Sequence, residues 1–70
     1  MTREEKIMNT VRYCQANGCE ILAEFAEGFF DMPFLSEDDL DKKLNHLWEE
    51  VEKTKKRQRE LRANYAYAFH

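Results

Sequence analysis

The sequence predicts an all-α protein in which two short N-terminal helices pack on a long C-terminal helix, a three-helix bundle that pairs into a dimer. Three observations predict it. One Pro, two Gly and few β-branched residues among 70 favour helix over strand. Apolar residues recur at intervals of three and four rather than two. From Leu35 onward there is neither Gly nor Pro, so nothing in the second half of the chain interrupts a helix.

A single domain over residues 1–70 is expected, with helices over about residues 3–17, 19–30 and 37–66 and a turn over 31–36. Thr2 followed by Glu5 reads as a capping box that starts the first helix. Ile7, Val11 and Cys14 form its apolar stripe, with Met8 flanking, and Asn17-Gly18 supplies the stop, because glycine adopts the left-handed conformation that ends helices. A bend at Gly18 is expected. In the second helix Ile21, Leu22, Phe25, Ala26 and Phe29 share one face and Glu20, Glu24 and Glu27 the other. Pro33 disfavours helical geometry at Met32, so the chain turns there. Ser36 is the next N-cap, with Asp39 three residues on, Glu37 and Asp38 in the first turn, and Leu35 and Leu40 as a hydrophobic staple.

The third helix carries the argument. Leu40, Leu44, Leu47, Val51, Thr54, Gln58, Leu61, Tyr65 and Ala68 follow one another at alternating spacings of four and three, a heptad seam that is apolar, then polar, then apolar again. About thirty residues of helix span roughly 45 Å, more than two shorter helices can cover. The predicted core is Ile7, Val11, Cys14, Ile21, Leu22, Phe25, Phe29, Phe34, Leu40, Leu44, Leu47, Trp48 and Val51. The remaining half of the long helix projects.

Charge divides this helix. Residues 37–52 hold seven acids against Lys42 and Lys43, a net −5, whereas residues 53–62 hold six Lys and Arg against Glu60, a net +5. Glu49–Lys53 and Glu52–Lys56 are the expected intrahelical pairs. Two copies laid antiparallel set acidic halves against basic ones, while a parallel pair stacks like charges. An antiparallel homodimer with Thr54, Gln58, Leu61 and Tyr65 in its interface is therefore the predicted assembly. So short a chain leaves much of its surface in water, and pairing also enlarges its core.

Composition narrows the function. The N-terminal segment has no apolar run that reads as a secretory signal or membrane span, which predicts a soluble, cytoplasmic chain not bound to membranes, with Cys14 and Cys19 as buried, reduced thiols. A net charge of −3 opposes generic binding to nucleic acid or anionic membrane. The aromatic end, with Tyr65, Tyr67 and Phe69, and the basic residues Lys55, Lys56, Arg57 and Arg59 are the candidate partner-binding groups. The same basic run could grip phosphates, which makes a DNA- or RNA-binding regulator the alternative, although here the basic stretch follows the leucine heptads where in basic zippers it precedes them.

Catalytic, cofactor and metal sites are not expected. The chain has no glycine-rich phosphate loop and no serine besides the cap Ser36. Cys14, Cys19, His46 and His70 match no zinc-ligand spacing, and His46 reads as a flank of the Leu44–Leu47 seam.

The Thr2-Arg3-Glu4-Glu5-Lys6 start, the turn from Phe29 through Phe30, Asp31, Met32 and Pro33 to Phe34, and the charged terminal helix together resemble the small accessory proteins from early regions of lambdoid bacteriophages. The resemblance spans the whole chain and carries no residue roles. It implies a non-enzymatic modulator of host replication, transcription or the lysis–lysogeny choice, acting in the host cytoplasm. The function expected is regulation by protein–protein interaction, as a helical homodimer bound to a protein partner whose identity the sequence does not give.

Overall fold

The structure, a computed structural model, describes the backbone of residues 1–68 and the side chains of residues 1–61. Its order is α1 (Arg3–Ala16), α2 (Glu20–Gly28), a single 3₁₀ turn (Phe29–Asp31) and α3 (Glu37–Ala68), with no strand among the described residues. Three helices packed on one another bear out the predicted all-helical class.

Each boundary has a local cause. The Thr2 hydroxyl accepts a hydrogen bond from the Glu5 amide at 3.2 Å and so caps one of the amides left free at the start of α1. At the other end Gly18 has φ +72. There the Cys19 amide donates to the Cys14 carbonyl at 2.8 Å and the Gly18 amide to the Gln15 carbonyl at 3.1 Å. This is the paired closure that a left-handed residue makes possible. The bend predicted at Gly18 is thereby fixed, and α2 runs back along α1. Ser36 caps α3 as expected, its hydroxyl accepting from the Asp39 amide at 3.2 Å. The turn before it is tied to the start of α1, because the Arg3 guanidinium donates to the carbonyls of Leu35 (2.8 Å) and Met32 (2.6 Å).

Cross-links between α1 and α3 climb in step: Lys6 with Asp41, Thr10 with Trp48, Tyr13 with Lys55. Hence α1 and α3 run in the same direction, α2 runs against them, and α1 ends level with Lys55. The core is Ile7, Val11, Cys14, Ala23, Ala26, Leu40, Leu44, Leu47 and Val51, with Tyr13, Cys19, Leu22 and Phe29 partly buried against it. The first half of the predicted seam is thus the floor of the bundle. At 1.5 Å per residue the 32 residues of α3 extend about 48 Å, and the molecule measures 54 × 18 × 17 Å. Its radius of gyration of 15.1 Å compares with roughly 11 Å for a compact chain of this length.

Six members of the predicted core are not in it: Leu22 and Phe29 are only partly buried against it, and four are exposed. Ile21, Phe25 and Phe34 are 71%, 63% and 79% exposed, and Trp48 is 37% exposed. In their place α2 buries Ala23 and Ala26. The physical reason is the tight turn: with three residues between them, α1 and α2 begin at close quarters, and small side chains let the two backbones approach. The buried face of α2 is rotated toward Ala23 by roughly a quarter turn from the centre of its apolar arc. Phe34 sits in the turn forced by Pro33, outside any helix. Cys19, expected to be buried, is only partly so, because it follows Gly18 in the connecting turn.

Candidate interaction surfaces

Three surfaces carry the side chains available for function. The first lies between α1 and α3. Thr10, 1% exposed, is the buried polar residue of the bundle. Its hydroxyl donates to the Lys6 carbonyl at 3.0 Å and accepts from the Trp48 indole at 2.9 Å. Both of its hydrogen-bonding roles are satisfied, so its burial costs little. Trp48 stacks on Tyr13 with ring centroids 3.8 Å apart and planes at 13°. Lys55 lies over the Tyr13 ring at 4.9 Å, donates to its hydroxyl at 3.2 Å and pairs with Glu52 at 3.6 Å, while the Tyr13 hydroxyl donates to Glu52. Tyr13 is the main cause of both shifts here: it holds the Glu52 carboxyl below its usual range, with Lys55 adding to the effect, and it raises Lys55. Both shifts favour the charged forms, so Glu52 and Lys55 stand as an ion pair at neutral pH. Beside it an open cleft of about 780 Å³ runs past Asn9, Thr10 and Trp48 to the Lys6–Asp41 pair at 3.1 Å.

This group changes the reading of two sequence expectations. Lys55, a candidate partner contact, is engaged by Tyr13 and Glu52 of its own chain. The intrahelical pairs expected at Glu49–Lys53 and Glu52–Lys56 are replaced by Glu50–Lys53 at 3.5 Å and Glu52–Lys55 at 3.6 Å. Tyr13 draws Glu52 and Lys55 together toward α1. Glu50 in turn lies between Lys53 and the exposed His46, which is 3.9 Å away.

The second surface is the free half of α3. Val51 is fully buried, Thr54 is half-buried with its hydroxyl donating to the Glu50 carbonyl at 2.9 Å, and every residue from Lys56 to Leu61 is exposed. Of the predicted interface, Thr54 borders the bundle, Gln58 stands in solvent and Leu61 is 58% exposed. The basic candidates Lys56, Arg57 and Arg59 are all exposed on this half, and Lys53, Lys56 and Arg59 line one face beside Glu52. The predicted contacts Tyr65, Tyr67 and Phe69 lie outside the described side chains.

The third surface is the outer face of α2 and the turn, where Ile21, Phe25, Phe30, Met32 and Phe34 are exposed. Ile21, Phe25, Phe29 and Met32 wall a cleft of about 380 Å³ that includes Glu24 and Gly28. On the other side of Phe25 a groove of about 370 Å³ continues between α2 and α3, over Phe29 and Leu47 to Lys42, Lys43 and His46. Sequence reasoning missed this surface because it placed Ile21, Phe25 and Phe34 inside. The signal available was Ala23, a small residue at the edge of an otherwise bulky face.

The buried sulfur is chemically quiet. Cys14 is 0% exposed, and burial, with Cys19 nearby as a smaller influence, pushes its thiol up. A raised thiol carries little thiolate, the reactive form. A thiol reagent is expected to modify the half-buried Cys19 about tenfold faster or more, with Cys14 reacting only as the chain unfolds. Equal rates by mass spectrometry would show the α1–α2 junction to be open. Among the described residues no three His, Cys, Asp or Glu side chains converge as metal ligands, and no helix is long and apolar enough to cross a membrane. No protein family, curated protein or solved structure matches the chain.

Proposed function

We propose that this chain is a non-enzymatic interaction protein that works as a helical homodimer and regulates a protein partner. One observation carries the reading: the seam that the bundle covers from Leu40 to Val51 continues past it through Thr54 and Gln58 to a 58% exposed Leu61. A rod that outruns its own globule is suited to a second copy. Opposite net charges of its two halves favour the antiparallel arrangement, with Thr54, Gln58, Leu61 and Tyr65 in the interface and Lys56, Arg57 and Arg59 facing the acidic half of the other molecule. Tyr67 and Phe69 supply further contact groups. The resemblance of the start, the turn and the terminal helix to small lambdoid-phage early proteins supports the regulatory role, as a modulator of host processes.

Sedimentation at micromolar concentration tests the dimer: wild type is expected as a dimer, and Leu61→Glu, which sets a carboxylate in the seam, as a monomer with unchanged helicity. A wild-type monomer removes the proposal. The second reading, a DNA- or RNA-binding regulator, is favoured by the face shared by Lys53, Lys56 and Arg59. It requires retention on nucleic acid that falls steeply with salt and is lost when Lys56 and Arg59 are neutralised.

A further inference from the structure

The apolar face of α2 and the turn is exposed and separate from the seam of α3, and its charge points to what covers it. Residues 13–41 hold eight Asp and Glu and no Lys, Arg or His. Glu20, Glu24 and Glu27 are exposed around Ile21 and Phe25, and Asp31 lies on the turn beside Met32. Among the described residues, the basic side chains lining the groove beside Phe25 are Lys42, Lys43 and His46, across on α3. An apolar strip with an acidic outer edge therefore lies on one side of the molecule.

We infer that this face is the docking site for a basic amphipathic helix of a partner protein, its apolar side chains seated on Ile21, Phe25 and Met32 and its Lys and Arg residues directed at Glu20, Glu24 and Glu27. The cleft of about 380 Å³ takes one or two large apolar anchors of the kind a helix presents at positions i, i+3 or i+4, and i+7. Two other occupants fit less well. A second copy applied face to face with the two α2 helices antiparallel brings the acidic edges together, a juxtaposition that opposes association, and the basic half of a second copy offers Leu61 as its single apolar residue between positions 52 and 61. An anionic lipid surface is repelled by the same carboxylates. The inference rests on the reading of the chain as an interaction protein but not on its dimerisation.

The probe is a synthetic helix of about 18 residues with Leu and Trp along one stripe and Lys elsewhere, long enough to hold a helix. The full chain is titrated with it and with a control peptide in which Glu replaces Lys. Binding of the Lys peptide alone, weakened about tenfold or more by Phe25→Ser and by Ile21→Ser, and weakened by Glu24→Lys and by added salt, supports the inference. All three positions are exposed, and circular dichroism checks that each variant keeps its helices. Sedimentation of the same variants separates the two proposals: a monomeric wild type that binds the peptide in this way upholds the docking face while removing the dimer. Equal binding of both peptides, binding that Phe25→Ser and Ile21→Ser leave unchanged, or loss of self-association in those variants overturns it. The last result would mean that a second copy covers the face.

Discussion

Leu40→Ala is expected to remove much of the stability of the bundle. Leu40 is 0% exposed and lies in the opening turns of α3, just above the turn that Arg3 ties to the start of α1. Removing a fully buried leucine costs about 2–5 kcal/mol, the larger values arising where the site cannot collapse. Here the neighbouring turn is pinned by two hydrogen bonds and the Ser36 cap, so collapse is restricted. A chain of this size is stabilised by about 4–10 kcal/mol in all, and a loss at the upper end of the leucine range removes much of that. Thermal melting by circular dichroism should fall by about 10 °C or more. A change under about 3 °C would show that α3 does not depend on the bundle for its fold. Protein concentration must be held constant, since self-association adds stability by mass action.

What could be read in advance was whatever a few neighbouring residues decide. Thr2, Gly18 and Ser36 set their boundaries through hydrogen bonds within five residues of themselves, and residue type with local spacing identified them. The repeat from Leu40 to Val51 was legible because a long helix repeats its buried face several times. With nine residues, α2 offers barely two and a half turns, and its face is chosen by what it meets rather than by its own pattern. The sequence reading centred that face on its bulkiest side chains. The tight Gly18 turn instead selected Ala23 and Ala26, and the aromatic and aliphatic bulk was left outside.

The candidate sites follow the same division. That the basic half of α3 projects was legible, because length and charge are properties of one segment. The cluster of Tyr13, Trp48, Glu52 and Lys55 was not, because it joins residues 35 or more apart whose meeting depends on how α1 lies along α3. Thr10 belongs with it. A threonine one residue before Val11, inside an apolar stripe, needed a partner, and nothing in the local sequence identified that partner as the Trp48 indole. A consequence is that Lys55 is anchored to the bundle while Lys56, Arg57 and Arg59 are exposed.

The rotation of α2 decides whether a docking face exists at all, and two neighbouring substitutions measure it. Ala26 is 0% exposed on the buried face of α2, so Ala26→Leu must push the helices apart or force its new side chain out of a rotamer well. Such overpacking costs about 1–3 kcal/mol. Phe25, one residue away and 63% exposed, is expected to lose less than about 0.5 kcal/mol as Phe25→Ala, the range of a surface substitution. Were its ring in the core, as hydrophobicity alone suggests, the same change would cost about 3–5 kcal/mol. Urea unfolding of both variants at one protein concentration gives the order directly. Finding Phe25→Ala the more damaging would turn the apolar side of α2 inward and leave a partner helix nothing to sit on. The expected order leaves that side uncovered in the free chain, at a cost in solubility that a binding role explains and a purely structural role does not.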